Sequence, residues 1–95
     1  MSIEEKTKIE EALSNAQIPE LYINGYTIAS SASDIVVILL RNGRPVQTLN
    51  VSFTLAKTLA IGLNDVVQNI EKKANMDIKT THDIAKVLEE SDNGN

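Results

Sequence analysis

Apolar residues fall into three patterns along this chain, and each predicts its own kind of element. From Ser52 to Asn75 they recur at three- and four-residue steps: Phe53, Ala56, Ala60, Leu63, Val67, Ile70 and Ala74, with a second row of Leu55, Leu59 and Val66 alongside. That period is helical, and the two rows together make a stripe broader than a two-helix seam. From Ile35 to Leu40 the residues are apolar without interruption, the pattern of a strand covered on both faces. Leu21–Ser30 reads as another strand, with Tyr22, Tyr26 and Ile28 on one side and Leu21, Ile23 and Thr27 on the other.

Turn residues divide these runs. Asn42-Gly43 is the preferred pair for a type I′ hairpin turn, because both central residues take positive φ. A two-residue loop sets Arg41 opposite Arg44, Leu39 opposite Val46, Val37 opposite Thr48 and Val36 opposite Leu49. One sheet face then carries Val36, Ile38, Leu40, Leu49 and Val51, and the long helix is assigned there. The other carries Ile35, Val37, Leu39, Val46 and Thr48. Pro45 has no N–H to donate, which makes the third strand an edge near its start. Gly25, inside the first strand, marks either a bulge or a place where another backbone comes close.

The remaining signals mark helix ends. Ser2 and Glu5 have capping-box spacing, followed by Ile9, Ala12, Leu13 and Ala16 on one face of a first helix, which Pro19 stops. Ser52 or Thr54 caps the long helix; Lys72 and Lys73 suit its negative pole, and Asn75 suits a left-handed end. Thr80 or Thr81 caps a last helix with Asp83 in its first turn and Ile84, Val87 and Leu88 as its apolar side. The expected fold is α+β: an N-terminal helix and linker over 1–19, a three-stranded antiparallel meander over 20–51, a long amphipathic helix over 52–75 packed on one sheet face, a short C-terminal helix over 80–90, and a flexible tail over 91–95.

Composition changes this picture in one respect. Ninety-five residues make one domain, and with only 3% aromatic side chains it lacks the groups that usually enlarge a small core. A homodimer or higher oligomer is therefore expected. Its interface would use Ile35, Val37, Leu39 and Val46 on the uncovered sheet face. Leu59 and Gly62 would join it on the long helix, where the glycine either permits a close helix approach or is a tolerated glycine with no partner. Thirteen acidic against nine basic residues give a net charge of −4, which argues against general nucleic-acid binding. There is no cysteine for a disulfide, thiol nucleophile or thiolate metal site. Glu4, Glu5 and Glu10 interrupt the N-terminus where a signal peptide would be apolar, and no apolar run approaches bilayer length. The expectation is a cytoplasmic protein that does not enter the membrane.

Candidate chemistry is sparse. The single histidine, His82, has Asp83 beside it, but adjacent helical residues do not face each other. Glu10 and Glu11, like Glu89 and Glu90, read as solvated helical faces. The four glycines are isolated, with no phosphate-loop spacing, and no nucleophile-elbow motif exists. A non-enzymatic protein without cofactor or metal is expected. The one constellation with a ligand reading is Arg41 with Arg44, two guanidiniums at a hairpin tip that can grip a carboxylate or phosphate. Tyr22, Asn24 and Tyr26 would line the same pocket. The alternative is that both arginines splay into water.

The segments Tyr22-Ile-Asn-Gly-Tyr, Ser33-Asp34-Ile35-Val36-Val37, Ala56-Lys57 and Glu71 together resemble a family of short bacterial domains of unknown function. The match runs over about Glu20 to Ile78 and implies no catalytic or binding residue. A meander followed by a long and a shorter helix is also similar to the fold of SecB-like export chaperones, which implies association and client binding. The functional expectation is an oligomeric interaction or adaptor protein whose partner is another protein. A protein that binds an anionic small molecule or nucleotide is the first alternative, and a SecB-like chaperone the second.

Overall fold

The computed structural model describes the backbone of residues 1–93 and the side chains of residues 1–90. Among the described residues three helices and one three-stranded antiparallel sheet make a mixed α+β chain, divided into two compact units, Met1–Val51 and Ser52–Asn95.

The first unit begins with helix α1, Ile3–Ser14. Ser2 caps it as the sequence predicts, its hydroxyl accepting the Glu5 N–H at 3.1 Å. The helix ends at Ser14, earlier than Pro19 requires. Asn15 leaves helical geometry, its side chain accepting the Gln17 N–H at 2.9 Å and its carbonyl the Ile18 N–H at 3.0 Å. A local asparagine turn thus competes successfully with another turn of helix.

Strands β1 (Gly25–Ser30), β2 (Ile35–Arg41) and β3 (Arg44–Val51) follow, in the spatial order β1-β2-β3. β1 is shorter than the alternation predicts. Its partner β2 turns away at Asn42, so Leu21, Tyr22 and Ile23 have no strand to pair with. Ser31 closes the β1–β2 turn: its N–H donates to the Asp34 carbonyl at 2.9 Å, and its hydroxyl donates to the Asp34 carboxylate at 2.8 Å. Asn42 and Gly43 have φ of 52° and 81°, both positive as a type I′ turn demands.

The register departs from expectation one step beyond that turn. Arg41 faces Arg44 and Leu40 faces Pro45, but Leu39 faces Gln47, so Val46 is an extra residue in β3. Across β1 and β2 the register is unbroken from Gly25 to Ser30. Pro45 cannot donate to the ladder, and an edge strand absorbs the irregularity beside it. Every later pair shifts by one: Val37 meets Leu49, Ile38 meets Thr48 and Ile35 meets Val51. Opposed residues share a face, so the expected face assignment changes. Leu49 and Val51 join Ile35, Val37 and Leu39, with Tyr26 and Ile28 of β1 on the same side. The other face sets Val36, Ile38 and Leu40 among Gly25, Thr27, Ala29, Thr48 and Asn50. The strongly apolar face is thus the one opposite to that expected to carry a helix.

The second unit is α2, Phe53–Ala74, and α3, Thr81–Asn93. Ser52, rather than Thr54, caps α2, accepting the Leu55 N–H at 3.1 Å. Asn75 takes the left-handed conformation, and the Met76 N–H returns to the Glu71 carbonyl at 3.0 Å. Thr80, rather than Thr81, caps α3 in a reciprocal box: its hydroxyl accepts the Asp83 N–H at 3.1 Å, and the Asp83 carboxylate accepts the Thr80 N–H at 3.2 Å. α3 continues to Asn93, beyond the expected end at residue 90; residues 94–95 of the expected tail lie outside the described residues.

Candidate functional site

The hairpin tip gathers the most polar chemistry in the first unit. The type I′ turn brings the strands together so that Arg41 and Arg44 are direct cross-strand neighbours. By strand alternation the two arginines share the apolar face with Leu39, and Tyr26 lies opposite Leu39 on β1. Both arginines are exposed, and among the described residues neither has a carboxylate within ion-pair distance. Like charges held opposite one another cost some sheet stability unless an anion is shared between them. Arg41 and Arg44 are therefore brought together, and Tyr26, 64% exposed, lies on the same sheet face.

Asn24 plays a different part from the one expected. Its side-chain oxygen accepts the Asn42 N–H at 2.8 Å, and its amide nitrogen donates to the Asn42 side-chain oxygen at 2.9 Å. Its own N–H donates to the Leu40 carbonyl at 3.1 Å. The side chain is a clasp that ties the entry of β1 to the turn carrying the arginines. Tyr22 is not joined to this group. It lies before β1 in irregular chain and is 71% exposed.

The clasp escapes sequence reading because its partners stand 18 positions apart. Its only local signal is Asn24-Gly25, which reads equally well as a bulge. A second unanticipated contact closes the α2–α3 connector. The Glu71 carboxylate accepts the Ile78 N–H at 2.9 Å, which makes Glu71 the anchor of that corner. Beside it the Asp77 carboxylate accepts from the Lys79 ammonium at 2.7 Å, and this contact holds the Asp77 carboxyl below its ordinary value and raises Lys79. Both side chains are well exposed, so the pair is a surface contact.

Elsewhere the chemistry is thin. An open recess along α3 is lined by Lys79, Asp83, Lys86, Val87 and Glu90, charges of both signs beside one apolar group. His82 is in the first turn of α3, after its Thr80 cap. Among the described residues no three histidine, aspartate or glutamate side chains come together as a metal site, and no helix is long and apolar enough to cross a membrane. No protein-family model, curated protein or solved structure matches this chain.

Proposed function

We propose that this chain is a non-enzymatic interaction protein that acts as a homodimer or higher oligomer in the cytoplasm and engages another protein. The observation that carries the reading is the apolar surface each unit leaves open. No described residue is fully removed from water. In the first unit Tyr26, Ile28 and Leu49 stand exposed on the same sheet face as Ile35, Val37 and Leu39. In the second, Phe53, Leu55, Leu59, Leu63, Val66 and Ile70 are exposed along α2. Large apolar side chains exposed along one face of an element favour association. Gly62 has open space around it, with no atom within 4 Å of a Cβ added there.

Native mass measured by light scattering across a dilution series tests the reading. A multiple of the chain mass, falling to one chain only on strong dilution, is expected; a single chain at every concentration would refute it. Gly62→Ala sharpens the result. Alanine favours the helix by about 1 kcal/mol, so a stabilised chain that nonetheless associates less well identifies Gly62 as a contact.

The unpaired arginines favour a second reading, a binder of anionic small molecules at the hairpin tip. It predicts a rise in melting temperature with a nucleotide or organic acid. That rise must disappear in Arg41→Ala and in Arg44→Ala. Uptake of unfolded chains or an apolar dye by the native protein would instead favour a SecB-like client-binding role.

A further inference from the structure

We propose that Asn42-Gly43 is a site of spontaneous covalent modification, where Asn42 passes through a cyclic imide to aspartate and isoaspartate, and that the fold protects the matching pair Asn24-Gly25. Asparagine is among the chemically labile residues of proteins. It is most labile before glycine, where no Cβ shields the next main-chain nitrogen. That nitrogen gives its proton to a base and attacks the asparagine Cγ. A carbon–nitrogen bond closes the ring, the Cγ–Nδ2 bond breaks, and Nδ2 takes up a proton and leaves as ammonia. Water then opens the ring. Attack at Cγ gives aspartate; attack at the main-chain carbonyl gives isoaspartate, with the chain running through Cβ and Cγ.

Three of the four glycines follow an asparagine: Gly25, Gly43 and Gly94. Asn93-Gly94 extends beyond the described residues, and the other two pairs meet at the clasp. Their electrophiles are alike. The Asn42 Oδ1 accepts from the Asn24 Nδ2 at 2.9 Å, and the Asn24 Oδ1 accepts from the Asn42 N–H at 2.8 Å. Each amide carbonyl thus has a donor to steady the negative charge that attack places on it. Both asparagines are exposed.

The nucleophiles differ. The Ser31 N–H donates to the Asp34 carbonyl at 2.9 Å, in register with the β1–β2 pairs. Antiparallel pairs alternate between bonded and non-bonded, so Ala29, Thr27 and Gly25 are bonded positions, and the Gly25 N–H is held toward Leu40. The Asn24 N–H, given to the Leu40 carbonyl at 3.1 Å, pins the other side of residue 24. Gly25 is half-buried, and a Cβ there would lie 3.5 Å from that of Leu40. Turning the Asn24 side chain onto the Gly25 nitrogen also gives up both hydrogen bonds of the clasp. Gly43, by contrast, lies outside the ladder, beyond its last pair, Arg41 and Arg44. Its N–H has no acceptor among the described residues, and it is exposed with nothing within 4 Å of a Cβ. Bringing the Asn42 Cγ onto that nitrogen requires only that an exposed turn relax, a smaller opening than parting β1 from β2. The product sets a carboxylate on residue 42, between two arginines that have no ion-pair partner among the described residues. Aspartate keeps an acceptor for Asn24, whereas isoaspartate adds a methylene to the main chain of a two-residue turn and misfits it.

The test uses the full wild-type chain, held in mildly alkaline buffer both folded and unfolded in urea. Peptide mapping by mass spectrometry follows the conversion of amide to acid at each Asn-Gly pair. In the folded chain acid should form at Asn42 about tenfold or more faster than at Asn24. In urea the two pairs should react alike. A folded chain in which Asn24 keeps pace with Asn42 would overturn the assignment. So would an equal preference for Asn42 in urea, which would place the selectivity in the neighbouring residues and not in the fold. A folded chain whose Asn42 stays an amide over a time that converts it in urea would overturn it as well.

Discussion

Two asparagines in left-handed conformation mark the main corners of this chain, and they do opposite work. Asn42 and Asn75 have nearly the same φ, 52° and 50°. Asn42 is followed by Gly43, also at positive φ, and two such residues in succession reverse the chain into a hairpin. Asn75 stands alone after a helix, where one left-handed residue lets the next N–H bond back to Glu71 and stops α2. Each corner is locked by an upstream polar side chain, Asn24 from 18 residues away and Glu71 from seven residues before Ile78. The helix corner is thus built wholly from its own neighbourhood. The hairpin corner depends on a residue outside the hairpin, and through it the turn and the start of β1 hold one another.

The strongest way to break this comparison is to attack the glycine that separates the two corners. Nothing lies within 4 Å of a Cβ at Gly43, so a substitution there tests backbone strain without a clash. Gly43→Val should lower stability by about 2 kcal/mol in urea denaturation, whereas Asn75→Gly should change it by only a few tenths, roughly the difference in left-handed cost. Equal effects at the two corners would show that the second positive φ is not what makes the hairpin.

Next in size is the clasp. Asn24→Ala removes two hydrogen bonds at an exposed site and should cost about 1 kcal/mol. Amide exchange should quicken at Gly25 and Asn42, with α2 and α3 unchanged. Asn24→Asp keeps the acceptor for the Asn42 N–H and should recover part of the loss. Unaltered exchange at Asn42 would dismiss the clasp.

Glu71→Ala should cost less, about 0.5–1 kcal/mol, and quicken exchange at the Ile78 amide while sparing the strands. Glu71→Gln retains a carbonyl acceptor and should lie between. An effect on the hairpin amides would refute the local character of this corner.

The smallest effect is a pH dependence. The Lys79 contact lowers Asp77, so its contribution is complete above the ordinary carboxyl value, about pH 4, and is lost as pH falls through the lowered one. Lys79 is raised, so its share is complete below its ordinary value and is lost as pH rises through the raised one. Asp77→Asn should remove both of these shallow dependences and leave the rest of the pH profile unchanged. Both groups are exposed, and added salt should weaken the contact further.

The arginine pair shows how far the candidate site was legible. Asn42-Gly43 announces a two-residue turn, and that alone places Arg41 against Arg44, as the structure has it. Tyr26 reaches the same face by alternation within β1. Tyr22 does not, because alternation assumes a strand that continues, and β1 has no partner before Gly25 except at the Asn24 N–H. Asn24 looked like a pocket residue because no local rule points its amide at a turn 18 positions later.

The sequence by itself determined what depends on neighbours within a few positions. It specified the cap at Ser2, narrowed the later caps to Ser52 or Thr54 and to Thr80 or Thr81, and specified the left-handed stop at Asn75 and the hairpin turn, because each follows from a side chain reaching the next turn of backbone or from an allowed φ. Tertiary structure decided the length of β1, the bulge at Val46 and the side of the sheet to which Leu49 and Val51 belong. These depend on which distant backbone groups meet. Side chains alternate with a period of two, so one extra residue beside a proline carries the rest of a strand to the opposite face.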